Sequence, residues 1–263
     1  MPGIRVIAGL ATALVAFGAA GCGSNKTAAP VKPRATQPAS KTAASDPNDT
    51  AGTDIEPFDR ASFDDSSINI DNRYFPLQPG TRFVYTGTDG SEPLKNVTEI
   101  THNQKTILGV KIIVVLDRLY KSGSLAESTL DYYAQDEDGN VWYFGEDTKE
   151  FANGKVVSTA GTWRAGRNGA RPGIIMPAHP KVGQTHQQEF APPVAEDMAT
   201  VLRLDATISV PFGTFHHCLQ TADFTPLEPG AKEIKSFCPG IGFVKGRDVK
   251  GGSVRLALTK ITH

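Results

Sequence analysis

The chain has 263 residues, of which 27 are Lys or Arg and 28 are Asp or Glu, so its formal net charge is −1. Nucleic-acid-binding domains normally carry a basic excess, and the balance argues against a nucleic-acid partner and against a self-repelling acidic chain. The 26 Gly and 18 Pro residues are typical of a turn-rich β protein. Three Cys residues are too few for a disulfide-framework miniprotein.

Residues 1–21 have the layout of a secretory signal peptide. A weakly positive start that includes Arg5 precedes an apolar run from Val6 to Ala20, which ends in small residues. That run is shorter than the roughly 20 apolar residues of a membrane-spanning helix. We therefore expect export rather than a transmembrane anchor.

Residues 19–22, with the sequence Ala-Ala-Gly-Cys, resemble the lipobox of bacterial lipoproteins. The resemblance implies cleavage before Cys22, which would carry a diacylglyceryl thioether and an amide-linked chain such as palmitate. Two acyl chains are the usual minimum for stable attachment to a bilayer. We therefore expect a lipid-anchored protein on the extracytoplasmic side of the cell membrane. An ordinary signal peptide, cleaved after an Ala-x-Ala-like site, is the alternative.

The segment that follows divides into two parts. Residues 22–53 have no aromatic and almost no aliphatic side chains, so they cannot offset their ordering entropy by burial and are expected to form a disordered tether. Residues 54–73 are acidic and carry two Phe and three Ile residues. We expect this acidic arm to pack on the domain, as an extended segment or with a short helix after Asp59.

Residues 74–263 are expected to form a single all-β domain, an antiparallel curved sheet or open barrel with one or two short helices. A short helix is expected at 193–200, opened by Pro193, and a long irregular insert at 160–183. Runs rich in β-branched and aromatic residues, separated by Asn-Gly, Asp-Gly and Pro-Gly turns, predict strands. The predicted strands are 82–87, 95–102, 110–120, 126–135, 141–146, 155–159, 184–190, 200–210, 214–222, 232–237, 242–245 and 253–260.

The remaining cysteines and the histidines predict no metal site and no cofactor. Cys218 and Cys238 lie in or beside predicted strands and can form a disulfide outside the cytoplasm, with two unpaired buried thiols as the alternative. His216 and His217 are neighbours in a predicted strand, so their side chains point to opposite faces. Residues 136–140 lack the Gly and Glu positions of a calcium loop and fit a hairpin turn.

Residues 130–180 contain both Trp residues and a concentration of aromatic and acidic side chains. Strict alternation along 141–146 places Tyr143 on one face and Glu146, with Trp142, on the other. One interpretation is a packed core strand. The other is an aromatic cleft with a carboxylate rim, near a loop rich in Gly and Arg. The candidate ligand-binding residues are Trp142, Tyr143, Glu146, Asp147, Trp163 and Met176.

Four motifs carry a resemblance to a known family. They are FPLxPGTRxVYxG at 75–87, GNVWYFGEDTKEF at 139–151, GKVVST at 154–159 and PGIIMPAxPxVG at 172–183. Together they resemble a family of exported bacterial proteins of uncharacterised function, many of them lipoproteins. The resemblance spans 74–247 and implies an extracytoplasmic β domain without implying an activity. In plan, the chain is also similar to lipid-carrying lipoproteins whose half-barrel holds acyl chains.

Three functions are compatible with these features. The favoured one is a non-catalytic binding module, anchored in the membrane, for an apolar or amphipathic ligand or an envelope partner, with a small molecule, lipid or glycan as candidates. A glycan hydrolase using acids such as Glu146 and Asp147 is the second. A ligand-free structural envelope protein is the third. No catalytic signature is present in the sequence, which favours a non-enzymatic role.

Overall fold

The computed structural model describes residues 57–263; the signal peptide, Cys22, the tether and the start of the acidic arm lie outside the described residues. Apart from a 3₁₀ turn at Arg60–Ser62, the regular structure of this part is β-strand, and none of its helices is long and apolar enough to cross a membrane. The strands are β1 (Arg82–Asp89), β2 (Glu92–Ile107), β3 (Val110–Lys121), β4 (Ser124–Gln135), β5 (Val141–Ala152), β6 (Lys155–Ser158), β7 (Trp163–Arg164), β8 (Arg171–Met176), β9 (Thr185–Gln187), β10 (Glu189–Phe190), β11 (Met198–Val210), β12 (Gly213–Phe224), β13 (Lys232–Cys238), β14 (Gly242–Lys250) and β15 (Val254–Thr262).

These strands form one antiparallel sheet that is not closed into a barrel, which confirms the predicted fold class. Their order is β10-β8-β5-β4-β3-β2-β1-β15-β14-β13-β12-β11-β9, and β6 and β7 pair with β5 beside this path. The two outermost strands follow one another in the chain, because β9 pairs with β11 and β10 pairs with β8. At the middle of the order, β1 pairs with β15 along its whole length.

Each predicted strand is present near its predicted bounds, and 184–190 contains the two short strands β9 and β10. The insert predicted to be irregular at 160–183 is different, because it contains β7 and β8. Five of the six residues of β8 are buried, so it lacks the alternation of a half-buried strand, and it includes Pro172 and Gly173. A Cβ at Gly173 would lie 2.4 Å from the carbonyl oxygen of Gln188, so only glycine allows this close approach.

The helix predicted at 193–200 is wrong. Ala191 and Ala195 are bridged across a tight turn, and Met198 begins β11. Burial alternates along the first residues of β11, which pair with β9 and β12 on either side. Sheet pairing of an alternating segment outweighs the weak helix-start signal of one proline.

The described part of the acidic arm packs against β5. The 3₁₀ turn follows Asp59, whose carboxylate accepts a backbone hydrogen bond from the turn. Phe58 and Phe63 meet Trp142 and Phe144 edge-on, with ring centroids 5.8–6.0 Å apart. Such pairs contribute about 0.5–1.5 kcal/mol each beyond the area they bury. The aromatic side chains of 142 and 144 are therefore covered by the arm.

A disulfide joins Cys218 in β12 to Cys238 at the end of β13. The two strands are neighbours in the sheet, so the bond reinforces an existing pairing. Both cysteines are completely buried. A loop of this length contributes about 3 kcal/mol when the bond restricts the unfolded chain.

Candidate functional site

Two carboxyl groups meet in the interior between β4 and β5. Asp131 lies opposite Glu146 in the strand pairing, and both side chains are buried. The Tyr143 hydroxyl oxygen lies 2.7 Å from Asp131 Oδ1 and 3.0 Å from Glu146 Oε2. A phenol has one proton to donate. Because it can donate to only one of the two groups, the other must be protonated to donate to the phenol oxygen.

A bulge in β5 brings Glu146 to the same face as Tyr143. Between the pairs Asp131–Glu146 and Tyr133–Tyr143, β5 contains one residue more than β4. The bulge includes Gly145, which has φ 128° and where a Cβ would lie 2.4 Å from the backbone oxygen of the facing strand β7. The strict alternation predicted for 141–146 is therefore wrong, because Glu146 shares the interior with Tyr143.

This pair belongs to a larger set of buried carboxyl groups, here called the acid cluster. Its members come from both halves of the sheet and influence one another electrostatically. Lys235 lies among them, with its Nζ 3.0 Å from Asp223 and 3.8 Å from Glu233. One lysine cannot neutralise the set, and the pKa values of six of its eight members are raised, which favours their protonated forms. The members are Asp117, Glu127, Asp131, Glu146, Glu189, Asp197, Asp223 and Glu233.

Burial is the main cause of the unusual acidities in the acid cluster. It raises the pKa of Asp131, Glu146 and Glu189 well above the ordinary range, and charge repulsion from neighbouring acids adds to the effect. Burial also raises the pKa of Glu127 to about 8. The pKa of Asp117 rises to about 6 by burial, although two side-chain hydrogen bonds oppose the shift.

A cleft of about 250 Å³ opens between the acidic arm, the β4–β5 turn and strands β8–β10, and we call it the arm cleft. Phe58, Trp142 and Phe190 supply aromatic surface, whereas Gln184 and Gln187 supply amide groups. Pockets that combine apolar walls with a few polar groups are the usual form of ligand sites.

The β4–β5 turn fixes the indole of Trp142 at this cleft. Asp136 accepts hydrogen bonds from Trp142 Nε1 at 2.7 Å, from the Asn140 backbone at 2.8 Å and from Asn140 Nδ2 at 2.9 Å. The Asp136 carboxylate therefore makes these hydrogen bonds within the hairpin itself. In residues 57–263, no group of three or more His, Cys, Asp or Glu side chains is placed to hold a metal ion.

The basic residues of the arm cleft differ in charge. The Arg171 guanidinium lies over the ring of Phe190, 4.1 Å from its centroid, and remains exposed. His186 is buried, and burial lowers its pKa to about 4 although the charge of Asp223 opposes this. His186 is therefore neutral near pH 7, and Arg171 provides the positive charge at the cleft.

A second cleft, of about 240 Å³, lies between β7, the β7–β8 loop and the turn at 191–194, and we call it the arginine cleft. Arg164 and Arg167 line it together with Trp163, Asn168 and the small apolar residues of both loops. The two clefts share no lining residue.

A charged network holds Arg164 at the wall of the arginine cleft. Arg164 Nη2 donates to both oxygens of Asp147, at 2.9 and 2.8 Å, and Tyr132 donates to the same carboxylate at 2.6 Å. Lys105 Nζ lies 3.7 Å away. Burial would raise the pKa of Asp147, but the Tyr132 hydrogen bond and the charges of Arg164 and Lys105 outweigh it and lower the pKa.

The structure distributes the sequence-predicted ligand-binding residues over three places. Trp142 lines the arm cleft, and Asp147 and Trp163 line the arginine cleft. Glu146 belongs to the acid cluster, Tyr143 is hydrogen-bonded to it, and Met176 is buried in β8; these three line neither cleft. Trp163 connects two of these places, because its ring packs edge-on against Tyr143 at 5.5 Å.

Other residues of the clefts were not among the ligand-binding residues named from the sequence. Phe58 and Phe190 reach the arm cleft from segments that are far from Trp142 in the chain. Arg164 and Arg167 belong to the Gly- and Arg-rich loop, whose composition was the available signal for a cationic cleft. The acid cluster had no sequence signal, since its members are spread over 117 positions from Asp117 to Glu233.

No protein-family model matches the chain, and no curated protein matches it either. Among solved structures, the crystal structure of a "putative lipoprotein" from Parabacteroides distasonis ATCC 8503 is similar. The similarity covers 73% of this chain and 99% of that chain, with 12% sequence identity and a TM-score of 0.42. Likeness at this level leaves the function to be argued from the chain's own residues.

Proposed function

We propose that the protein is a lipoprotein anchored on the extracytoplasmic side of the membrane, and that its β body is a non-catalytic binding module. The proposed ligand is amphipathic, such as an envelope lipid or glycan, and the proposed site is the arm cleft. The observation that carries this proposal is the position of Phe58. This residue follows the segment that leads from Cys22 and lines the cleft together with Phe190 and Arg171.

The anchor part of the proposal is supported by the sequence. The apolar run and the Ala-Ala-Gly-Cys tail at 19–22 fit lipidation of Cys22. Each buried acyl CH₂ contributes about 0.8 kcal/mol to membrane attachment, so two or three chains suffice. The cleft would then lie where the anchored segment joins the β body, which suits a ligand drawn from the envelope.

The chemistry of the arm cleft supports an amphipathic ligand. Aromatic rings offer surface for apolar groups or sugar faces, and the amides of Gln184 and Gln187 can donate to and accept from hydroxyl groups. The apolar pocket beside Phe75 and Phe243 measures only about 10 Å³. An entirely apolar ligand therefore fits the described clefts less well.

The geometry favours binding over glycoside hydrolysis by Glu146 and Asp147. Paired carboxyl groups must flank one glycosidic bond. Here Glu146 bonds to Tyr143 inside the sheet, whereas Asp147 belongs to the ion-pair network at the arginine cleft. Neighbouring side chains on a strand point to opposite faces, so one substrate cannot reach both.

The anchor is tested by Cys22→Ser in the full chain. We expect loss of incorporated palmitate and release of the processed protein from the membrane fraction. Retention of labelled palmitate would refute lipidation at this residue.

The cleft is tested by fluorescence of the lipidated chain in phosphatidylcholine nanodiscs. The chain has two Trp residues, so Trp163→Phe leaves Trp142 as the reporter of the arm cleft. Uncharged 4-nitrophenyl glycosides are suitable probes, because the nitrophenyl group quenches Trp and its release would reveal hydrolysis. We expect saturable quenching without release, weakened by Phe190→Ala and kept in Phe212→Ala, an exposed Phe outside the cleft. Absence of quenching with every glycoside, or steady release of nitrophenolate, would contradict the proposal.

A further inference from the structure

The arginine cleft has a chemistry that the proposed function does not use. Two guanidinium groups, Arg164 and Arg167, line it, and Asp147 is its one carboxylate among the described lining residues. Asp147 is already engaged by Arg164, Lys105 and Tyr132. The cleft therefore keeps a positive excess that its own carboxylate does not cancel.

Arg167 is the cation that remains available. Its side chain is exposed and makes no hydrogen bond or ion pair within residues 57–263. The backbone of the same loop is held in place, because the Arg167 amide donates to the Arg164 carbonyl at 3.1 Å and the Ala170 amide donates to the Arg167 carbonyl at 2.9 Å. A free guanidinium on an ordered loop is well suited to bind an oxyanion in a forked geometry.

Arg164 is positioned before any ligand arrives. Its guanidinium is bonded to both oxygens of Asp147 and stacks over the Tyr132 ring, 5.0 Å from the centroid. Lys105 lies over the same ring, 4.3 Å from the centroid. A cation that is already ordered loses little freedom on binding, which favours affinity.

Two buried donors at this cleft have no acceptor. Trp163 is 5% exposed, and its Nε1 has no hydrogen-bond partner in the described part of the chain; the same holds for Arg164 Nε. Buried N–H groups almost always find an acceptor. Both N–H groups are buried, so an oxyanion in the cleft would bond to the more exposed guanidinium atoms of Arg164 and Arg167 rather than to these two donors.

Part of the lining of the cleft is apolar. It consists of Ala170, Ala191, Pro192 and Val194, and the Val194 side chain is 37% exposed. A bare inorganic ion would leave this surface in water, whereas a ligand with an apolar body would cover it.

From this juxtaposition we infer that the arginine cleft is a second binding site, for an amphipathic anion that joins a phosphate or another oxyanion to an apolar body. The anion lies between Arg164 and Arg167, and the apolar body lies against the 191–194 turn. The site is separate from the arm cleft and does not depend on the function proposed there.

The test uses Trp163 as the reporter. In the lipidated chain in phosphatidylcholine nanodiscs, Trp142→Phe leaves Trp163 as the remaining Trp. The probes are 4-nitrophenyl phosphate, inorganic phosphate and the uncharged 4-nitrophenyl glucoside. We expect saturable quenching by 4-nitrophenyl phosphate, with at least about fivefold weaker binding of inorganic phosphate, measured by competition, and no saturable quenching by the glucoside.

Two variants show whether binding of 4-nitrophenyl phosphate depends on Arg167. Arg167→Ala is expected to weaken binding of 4-nitrophenyl phosphate by about tenfold or more, as expected for loss of a charge-assisted hydrogen bond. Arg82→Ala, which removes an exposed arginine on β1, is the matched control and should leave the affinity unchanged. Equal effects of the two variants, or equal quenching by phosphate ester and glucoside, would overturn the anion site. Equal affinity for inorganic phosphate would overturn the assignment of an apolar body.

The source of the anion is tested with lipids. Replacing part of the nanodisc phosphatidylcholine with phosphatidylglycerol shifts Trp163 emission in an Arg167-dependent way if the anion is a lipid headgroup. No shift, with 4-nitrophenyl phosphate still bound, indicates a soluble anion. If Trp142→Phe does not fold, calorimetric titration of the chain with both Trp residues gives the same comparison of Arg167→Ala with Arg82→Ala.

Discussion

Asp131 and Glu146 face each other across two neighbouring strands, and the hydroxyl of Tyr143 lies within hydrogen-bond distance of both. Like charges at directly opposite positions destabilise a sheet. A proton shared in this arrangement replaces the repulsion by a short chain of hydrogen bonds. The stability of the β4–β5 pairing therefore depends on the protonation of its acids.

The first prediction is that the protein loses stability as the pH rises. A carboxyl group with a raised pKa binds its proton more tightly in the folded than in the unfolded chain, so its contribution is complete below the unfolded pKa of about 4. It disappears as the pH rises through the folded pKa, which is about 6 for Asp117 and about 8 for Glu127 and Asp197. The pKa of Asp147 is lowered, so its contribution to stability changes at a lower pH than those of the acid cluster. Thermal unfolding should show a higher midpoint at pH 5 than at pH 8.5; a midpoint that rises across this range would contradict the role of the acid cluster.

Neutralising Glu146 and neutralising its neighbour Asp147 should change the free energy of unfolding in opposite directions. Glu146→Gln keeps a hydrogen-bonding group beside Tyr143 and removes the cost of keeping this buried acid protonated at high pH, so we expect it to stabilise the protein at pH 8.5 by on the order of 1 kcal/mol, with little effect at pH 5. Asp147→Asn breaks the ion pair with Arg164 and should destabilise it by up to about 1 kcal/mol. Urea unfolding at both pH values measures the difference. The explanation fails if the two variants behave alike.

The bulge in β5 should tolerate no side chain at Gly145. A Cβ there would collide with the carbonyl group of Trp163, and the positive φ is unfavourable for alanine. We expect Gly145→Ala to reduce the free energy of unfolding by about 3 kcal/mol or more. The matched control is Gly154→Ala in the β5–β6 turn, where φ is 73° but no heavy atom lies within 4 Å, and it should lose only about 1 kcal/mol. Similar losses in both variants would show that the collision is relieved elsewhere.

Removal of Phe58 should detach the start of the arm from β5. Its ring contacts those of Phe63, Trp142 and Phe144, so Phe58→Ala should cost about 1–3 kcal/mol. It should also expose Trp142 and shift its emission to longer wavelength. Phe212→Ala, at an exposed hairpin position, should change neither quantity by a comparable amount. An unchanged emission in Phe58→Ala would show that the arm does not shield Trp142.

The strands and most turns could be predicted because they follow local rules. Alternating β-branched and aromatic residues mark the half-buried strands, and Asn153-Gly154 adopts the positive φ values expected of a tight turn. Strand β8 could not be predicted in this way, because a buried strand with Pro172 and Gly173 has neither alternation nor typical strand composition.

The candidate sites were predicted only in part, for two physical reasons. Trp142, Asp147 and Trp163 line clefts, but the residues that complete those clefts come from distant segments such as the arm and the 191–194 turn. Alternation also cannot reveal a bulge, so Glu146 was assigned to the wrong face of β5. An acid that alternates with apolar neighbours looks like a surface residue in the sequence, although Asp117 is buried.

The pairing of β1 with β15 has a consequence for biogenesis. β15 is synthesised after the fourteen other strands, yet it occupies the centre of the strand order. Until it arrives, the β1 and β14 edges flank an unfilled gap, and unpaired edges promote aggregation. A chain of this design has to be kept apart from its neighbours until the final strand is inserted, so we expect its folding to depend on chaperones more than that of a sheet assembled in sequence order.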